Sequence, residues 1–170
     1  KSQYERACNP VKEMNLKIDI PGYGSTVVNH LVMDYNGTLA VDGAIVEGVG
    51  TALEKLSERL ELHVLTADTF GRAADELRNM PCSLSVLPPG NQSEAKRDYI
   101  IKLGAGQTAA IGNGRNDRLM LETAGLGICV LLEEGASVET LNSADVLCPS
   151  IVSALEIFSN PLRLKATLRS

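Results

Sequence analysis

The sequence predicts an α/β protein built on a mostly parallel sheet. Short apolar runs alternate along the chain with segments of helical periodicity, which is typical of βαβ units. Several of these runs end in a polar residue or a glycine, as at Asp34, Thr66 and Gly112. Open α/β sheets bind their ligands at the carboxyl ends of the strands, so function is expected at these positions.

The composition indicates one domain with an aliphatic core. The chain has 170 residues, is 44% hydrophobic and contains no Trp, which suits a single core of Leu, Val, Ile and Ala. The net charge is -5 without a Lys/Arg-rich block, which argues against nucleic acid or an anionic membrane as the main partner.

A cytoplasmic location is expected from the remaining composition. The longest apolar runs, such as residues 127–132, are too short to span a bilayer, and the N-terminus lacks the apolar segment of a signal peptide. The four cysteines are scattered without a C-x-x-C pair, so we expect buried, reduced thiols rather than disulfides or a zinc site.

The N-terminal region predicts an extension and then a hairpin. Residues 1–14 are polar without a clear period, and we assign residues 15–170 to one domain. Residues 16–20 alternate between apolar and polar, as in a half-exposed strand, and residues 26–28 can pair back after a turn at residues 21–25. This hairpin either adds an edge to the core or serves an oligomer contact.

The middle of the chain predicts a central strand followed by a small hairpin and two βα units. The apolar run at residues 30–34 is the central strand, and Asp42-Gly43 is a hairpin signal. The further predicted elements are a helix over 48–60, a strand over 61–66, a helix over 69–80 that Pro81 ends, and a strand over 83–87.

The C-terminal half continues the same alternation. Ser93 is predicted to cap a helix that ends at Gly104. The remaining elements are a strand over 108–111, a helix over 117–124, a strand over 126–132, a helix over 136–142, a strand over 145–147, and a helical tail over 151–168 with a break at Pro161.

The first candidate functional residue is Asp34, which ends the central strand. A carboxylate held there can act as a nucleophile, a metal ligand or both. The six residues from Asp34 to Leu39 read D-Y-N-G-T-L and resemble the first motif, D-x-D-G-T-L, of the haloacid dehalogenase-like (HAD) phosphohydrolases. Asn36 stands where most of these phosphatases carry a second Asp. P-type ATPases also lack it, and the chain looks most like the small soluble P-type ATPase-like proteins. The alternative is a surface Asn-Gly turn.

Two further positions match this family's second and third motifs. Thr66 ends a strand before a helix, and a hydroxyl with the backbone N–H groups beyond it, such as that of Ala67, can bind phosphate; alternatively Thr66 only caps the helix. Lys96 lies in the first turns of a helix, where the helix dipole disfavours a cation. It can neutralise a carboxylate and a phosphate, whereas the competing Lys102 lies late in the helix like a surface lysine.

The fourth match is the glycine loop at residues 112–117, G-N-G-R-N-D, which resembles the motif G-D-G-x-N-D. Asn113 replaces its first Asp, and Asp117 stands at a helix start. A dinucleotide-binding fingerprint would need glycine at position 117. The resemblance implies that Asp34, Asn36, Asn113 and Asp117 bind Mg²⁺.

The family resemblance implies a Rossmann-like, three-layer α/β/α fold without a cap domain. The intervals 38–66 and 66–96 each hold about one βα unit, which leaves no room for a cap. The implied reaction transfers a phosphoryl group from a small phosphorylated substrate to Asp34, with hydrolysis slowed because Asn36 cannot act as acid or base. The alternative is a catalytically impaired phosphate-binding or assembly module. A receiver-like phosphoacceptor fits the strand order poorly, and self-association is plausible for an open site.

Overall fold

The computed structural model describes residues 14–67 and 71–170. Six of the ten strands in this part of the chain form one sheet in the order β10-β9-β8-β3-β6-β7, and every pairing within it is parallel. The strands are β1 Leu16–Ile20, β2 Gly24–Val28, β3 His30–Asp34, β4 Ala40–Val41, β5 Ala44–Ile45, β6 Glu61–Thr66, β7 Ser83–Val86, β8 Thr108–Gly112, β9 Leu126–Val130 and β10 Val146–Cys148.

Helices cover both faces of this sheet, which confirms the predicted three-layer arrangement. One face packs on α1, α2, α6 and α7 through the larger apolar cluster, and the other packs on α3 and α4 through a smaller one. The helices are α1 Val49–Ser57, α2 Arg72–Leu77, α3 Gln92–Leu103, α4 Arg118–Thr123, α5 Val138–Leu141, α6 Ile151–Ser159 and α7 Pro161–Leu168.

The central strands are buried on both faces, which explains their continuous apolar sequence. Every residue of β8 and β9 is buried, as expected for parallel strands between two helical layers. Helix α4 approaches β9 closely, because a Cβ on Gly127 would lie only 2.6 Å from the carbonyl oxygen of Leu121. β9 in turn pairs with β8 as far as Gly112, where the glycine loop begins.

The N-terminal hairpin packs on the core, but it does not add an edge to the central sheet. β1 and β2 pair antiparallel as a separate sheet, and Leu16, Ile18 and Ile20 are buried in the larger cluster. Helix α7 packs against β1. The proposed extension lies almost wholly outside the described residues, so its boundary stays a prediction, as does self-association.

Several predicted boundaries were wrong by a few residues. Ser93 does not cap α3, since the helix begins at Gln92 after Asn91. α1 ends at Ser57, and residues 58–60 form a turn. α2 is shorter than predicted and its expected start lies partly in residues 68–70, outside the described part. The predicted helix at 117–124 begins instead as a 3₁₀ turn at Arg115–Asp117.

The described residues contain no inserted domain between Thr38 and Lys96. The first interval holds the β4–β5 hairpin and α1, and the second holds α2 and β7. Asp42 and Gly43 both have positive φ, 51° and 78°, as a two-residue turn of this type requires. The small predicted hairpin beside the site is therefore confirmed.

The composition predicts reduced thiols and apolar runs too short to span a membrane. Cys82, Cys129 and Cys148 are free thiols, and burial raises the pKa of each of them, whereas Cys8 lies outside the described residues. Within the described ranges, we find no helix whose length and apolar character would let it cross a membrane.

Candidate active site

Asp34 lies at the carboxyl edge of the sheet, at the end of its central strand β3. The strand is flanked by β6 and β8, so the carboxylate is surrounded by neighbouring strand ends and is only 8% exposed. Along β3, the side chains of His30, Val32 and Asp34 share the face that α3 covers. The register of the strand therefore directs this carboxylate toward the helix that carries Lys96.

Lys96 lies between two carboxylates in the buried part of the site. Its Nζ is 2.6 Å from Asp34 Oδ1 and 2.6 Å from Asp117 Oδ1. The side chains of Lys96 and Asp117 are 1% and 0% exposed. Charge-assisted hydrogen bonds of this length are strong, and they satisfy a cation that would otherwise be costly to bury.

Asp117 also shapes the glycine loop after β8. Its Oδ2 accepts hydrogen bonds from the backbone N–H groups of Asn113 (3.0 Å) and Gly114 (2.9 Å). A Cβ on Gly112 would lie 2.6 Å from the Asp117 carboxyl carbon, so this position has no room for a side chain. Both oxygens of Asp117 are thus already hydrogen-bonded within the protein.

Thr38 links the two loops that border Asp34. Its Oγ1 lies 3.4 Å from Asp34 Oδ2 and 3.2 Å from Asn113 Oδ1, and its single proton can donate to only one of them at a time. Asn113 Nδ2 donates to the carbonyl of Gly135 at 2.9 Å, which turns its oxygen toward Thr38. Thr38 was not among the site residues predicted from the sequence, although it belongs to the D-Y-N-G-T-L stretch that begins at Asp34.

The other candidates lie at the same edge of the sheet, on the adjacent strand end and on the loop after β3. Thr66 ends β6, next to β3, and is buried, while Ala67 after it is half-buried. The backbone of Asn36 bridges to Ala40, and its side chain is exposed. The structure thus joins Asp34, Lys96, Asn113 and Asp117 directly, and the roles of all seven residues stay predictions.

The buried part of the site contains two carboxylates, Asp34 and Asp117, but only one ammonium, that of Lys96, among the described residues. Burial, and then the nearby Asp117, raise the pKa of Asp34 to about 7, although Lys96 opposes the shift. Burial disfavours the charged form of Lys96, but Asp34 and Asp117 outweigh it and raise the pKa of its ammonium. Two carboxylates thus share one ammonium, which leaves excess negative charge that a bound cation would neutralise.

The donor set fits Mg²⁺. This ion prefers oxygen ligands, and the contacts of Asp34 Oδ2 and Asn113 Oδ1 with the same hydroxyl bring two side-chain oxygens to one place. Asp34 Oδ2 has a long hydrogen bond of 3.4 Å, so this oxygen can take a cation at little cost. Asn113 is neutral, however, so the set carries less charge than one with two aspartates.

Comparison by sequence gives two archaeal relatives, and no family model matches. Both are uncharacterized proteins of Methanocaldococcus jannaschii. One is 52% identical over 60 residues, which are 35% of this chain and 64% of the relative. The other is 51% identical over 39 residues, 23% of this chain and 89% of the relative. The chain therefore spans less than two thirds of the first relative.

Solved structures match a larger part of this chain than the sequence relatives do. A cobalt-bound deoxy-D-mannose-octulosonate 8-phosphate phosphatase of Haemophilus influenzae superposes with a TM-score of 0.66 and 13% identity, over 84% of this chain and 94% of that one. A protein of Legionella pneumophila assigned to HAD subfamily III A gives 0.63 and 16%, over 82% and 88%. The chain has the HAD fold.

A third HAD-fold neighbour carries ligands. It is the 3-deoxy-D-manno-octulosonate 8-phosphate phosphatase of Moraxella catarrhalis, solved with a magnesium ion, a phosphate ion and KDO, with a TM-score of 0.61 and 19% identity over 84% of this chain and 94% of that one. At these identities the likeness concerns the HAD fold, and the P-type ATPase-like grouping stays a prediction.

Proposed function

We propose that this chain is a slow, Mg²⁺-dependent phosphohydrolase that forms an aspartyl-phosphate on Asp34. The observation that carries the proposal is the 2.6 Å contact between Asp34 and the buried ammonium of Lys96 at the carboxyl edge of a HAD-fold sheet. A carboxylate at a ligand-binding edge, paired with a cation and next to further oxygen donors, suits phosphoryl transfer, which depends on positioning and charge neutralisation.

The nucleophile in this proposal is an oxygen of Asp34. Lys96 favours the ionised form of this carboxylate and orients it, and Asp117 holds Lys96 from its other side. The Asp117 carboxylate therefore acts on the reaction through Lys96 and through the loop that carries Asn113.

The phosphate and the metal would be held by residues along the same edge. Thr66 Oγ1, the N–H of Ala67 and Lys96 would bind phosphoryl oxygens. Asp34, the main-chain carbonyl of Asn36 and Asn113 would hold Mg²⁺, with Asp117 as a further candidate. When bound, the ion supplies positive charge against the phosphoryl oxygens.

The proposed reaction has two steps, transfer of the phosphoryl group to Asp34 and hydrolysis of the aspartyl-phosphate, and water is the only reactant besides the phosphoester. An oxygen of Asp34 forms a bond to phosphorus while the bond from phosphorus to the leaving oxygen breaks, and that oxygen takes its proton from water. A water molecule then attacks the phosphorus, the bond to Asp34 breaks, and the carboxylate is restored. The proton that this water gives up neutralises the hydroxide left by the first step. Asn36 has no ionisable proton, so the rate gain of about 10²- to 10⁴-fold from a general acid or base is missing.

A second candidate function is a phosphate-binding or assembly module without turnover. Asn36 and Asn113 favour this second function. Each places a neutral amide at the carboxyl edge of the sheet, where the HAD motifs have an ionisable Asp. This function shares the predicted phosphate site with the first proposal but requires no bond to Asp34. The two proposals therefore differ in whether the protein ever carries a covalent phosphoryl group.

The deciding experiment is the intact mass of the protein after mixing with Mg²⁺ and acetyl phosphate. Wild type and an Asp98→Asn control, which alters an exposed carboxylate on α3, should gain one phosphoryl group, and Asp34→Asn should gain none. Asn36→Asp should raise turnover of a simple phosphoester by about 10²-fold or more. Peptide mapping of fresh samples excludes deamidation at Asn36-Gly37 as the source of activity.

The opposite results are equally clear. If wild type binds Mg²⁺ but acquires no phosphoryl group, and Asn36→Asp has no turnover on any phosphoester, the enzymatic proposal is wrong. Binding of inorganic phosphate under those conditions would then support the non-catalytic module.

A further inference from the structure

A second polar cluster lies at the opposite, amino-terminal edge of the sheet. It consists of His30, the first residue of β3, with Glu61 and His63 from the start of β6. His30 and Glu61 are paired in register, so their side chains and that of His63 share the sheet face under α3. These are the two histidines of the chain, and the proposed phosphatase reaction uses neither.

The ligand atoms of this cluster are spaced as around a metal ion. His30 Nδ1 lies 3.2 Å from His63 Nε2 and 3.2 Å from Glu61 Oε2, and the last two atoms are 4.0 Å apart. The point equidistant from these three atoms, in their plane, is about 2 Å from each, which matches the lengths of Zn–N and Zn–O bonds. Among the described residues, these three side chains form a group of His, Cys, Asp or Glu with all ligand atoms within 4.8 Å of one another.

The outer nitrogen of His63 has a partner that suits metal binding. His63 Nδ1 lies 3.1 Å from the hydroxyl of Tyr99 on α3. When Nδ1 donates to this hydroxyl, the lone pair of the imidazole is on Nε2, the nitrogen that faces His30 and Glu61. Metal-binding histidines commonly use such a second hydrogen bond to fix the tautomer and the ring orientation.

The exposure of the cluster allows an ion to enter. His63 is buried, His30 is half-buried and the Glu61 side chain is 59% exposed. One side of the cluster is thus preorganised and the other is open to solvent.

We propose that His30 Nδ1, His63 Nε2 and Glu61 Oε2 form a second metal site for a divalent transition-metal ion, with Zn²⁺ as the best match. Two imidazoles and one carboxylate are a known ligand set for Zn²⁺ and leave a position for water. Mg²⁺ prefers an all-oxygen set, so the two edges of the sheet select different ions. The site joins the starts of β3 and β6, and through Tyr99 it reaches α3.

The proposal is independent of the phosphatase chemistry. Without a metal, the same residues form a polar network in which the two imidazoles share a hydrogen bond and Glu61 pairs with His30. If this network is the only role of these residues, they will show no specific affinity for Zn²⁺. The two possibilities therefore differ in a direct binding measurement on the imidazoles themselves.

The test is a Zn²⁺ titration of the full chain, labelled with ¹⁵N at histidine and followed by NMR of the ring nitrogens. We expect one equivalent to shift Nδ1 of His30 and Nε2 of His63, and excess Mg²⁺ not to reverse the change. Tyr99→Phe should weaken Zn²⁺ binding by about 10- to 100-fold, and His63→Gln by more. The control variant Asp34→Asn, at the other edge, should bind Zn²⁺ as wild type does.

Three results would overturn the proposal. One is that neither imidazole responds to an equivalent of Zn²⁺ in the folded wild type. Another is Zn²⁺ binding that leaves both imidazoles unshifted, which would assign the ion to thiols or carboxylates elsewhere. The third is equal Zn²⁺ affinity in wild type and His63→Gln, both shown to be folded by their amide spectra.

Discussion

The ammonium of Lys96 lies 2.6 Å from Asp117 Oδ1, and both side chains are almost completely excluded from solvent. Twenty-one residues separate them along the chain, so this contact joins α3 to the loop after β8. Because Lys96 also contacts Asp34 at 2.6 Å, one cation connects the proposed nucleophile to the loop that carries Asn113.

Replacing Lys96 by Met should destabilise the protein strongly. The change leaves Asp34 and Asp117 buried without their cation, and breaking a buried ion pair from one side costs on the order of 3–5 kcal/mol. Urea denaturation in EDTA measures the free energy of unfolding. Lys102→Met is the matched control, because Lys102 is exposed on the same helix, and it should change that free energy by less than about 0.5 kcal/mol. Equal effects of the two substitutions would contradict the structure.

The stability of the metal-free protein should depend on Asp34 between pH 4 and pH 7. The pKa of Asp34 rises from 3.8 in the unfolded chain to about 7 in the folded protein. The folded state therefore binds more protons in this range, and its stability falls as the pH rises. Asp34→Asn removes this pH-dependent loss. The free energy of unfolding of the variant should therefore be higher than that of wild type by on the order of 2 kcal/mol at pH 7.5, and the two should be equal near pH 4.

The matched control for this experiment is Asp117→Asn. It also removes one carboxylate, but the Asp117 carboxylate accepts two backbone N–H groups besides Lys96. An amide offers only one acceptor oxygen, so we expect a loss of on the order of 2 kcal/mol near pH 4. The loss should shrink as the pH rises, because the variant lacks the carboxylate that helps to raise the pKa of Asp34. Thermal denaturation in EDTA from pH 4 to 8 compares the three proteins. A wild type more stable than Asp34→Asn at pH 7.5 would contradict the prediction.

Gly37→Ala should disturb the site more than backbone strain alone explains. Gly37 has a φ of 75°, and a Cβ there would overlap the side-chain amide of Asn113. Gly71 also has a φ of 75°, but among the described residues beyond its chain neighbours no atom lies within 4 Å of its Cβ position, so Gly71→Ala should cost about 1 kcal/mol for the backbone alone. We expect Gly37→Ala to cost on the order of 2 kcal/mol more.

The clash itself can be tested with a double-mutant cycle. If it lies between the methyl group introduced at position 37 and Asn113, adding Asn113→Ala to Gly37→Ala should recover at least about 1 kcal/mol of unfolding free energy. Chemical denaturation of the two single variants and the double variant measures this coupling. Additive effects would show that the loop accommodates a side chain at position 37 without contacting Asn113.

Tyr23→Phe should weaken the attachment of the N-terminal hairpin. The Tyr23 hydroxyl donates to Asp145 Oδ1 at 2.9 Å, and Asp145 Oδ2 accepts from the N–H of Gly127 at 2.8 Å. Burial, then the hydrogen bond with Asp145, raise the pKa of Tyr23 to about 12. Since the unfolded phenol ionises near pH 10, wild type should lose stability relative to Tyr23→Phe as the pH rises from 10 to 12.

The expected size of the Tyr23 effect is small because the side chain is 43% exposed. At pH 7 the loss in Tyr23→Phe should be about 0.5–1.5 kcal/mol, the usual net worth of a hydrogen bond. Thermal denaturation of wild type and variant at pH 7, 10 and 11 checks both the loss and its pH dependence. A difference that stays constant up to pH 11 would contradict the assigned cause.

Local patterns were enough to predict most of the fold. The alternation in β1, the buried runs of β3 and β9 and the turn at Asp42-Gly43 are confirmed, because each depends on residues close together in the chain. Helix ends were predicted less well. α3 begins without a side-chain cap, and the start of α4 is displaced by the hydrogen bonds of Asp117, which no local pattern records.

The sequence by itself determined which residues would stand at strand ends, and therefore that Asp34, Thr66 and the glycine loop share one edge. Only the tertiary structure decided that Lys96 lies between two carboxylates and that Thr38 links Asp34 to Asn113. It also decided that the two histidines, 33 residues apart, meet at the other edge. The physical reason is that such contacts depend on the order and register of the strands, which side-chain packing across the whole sheet selects.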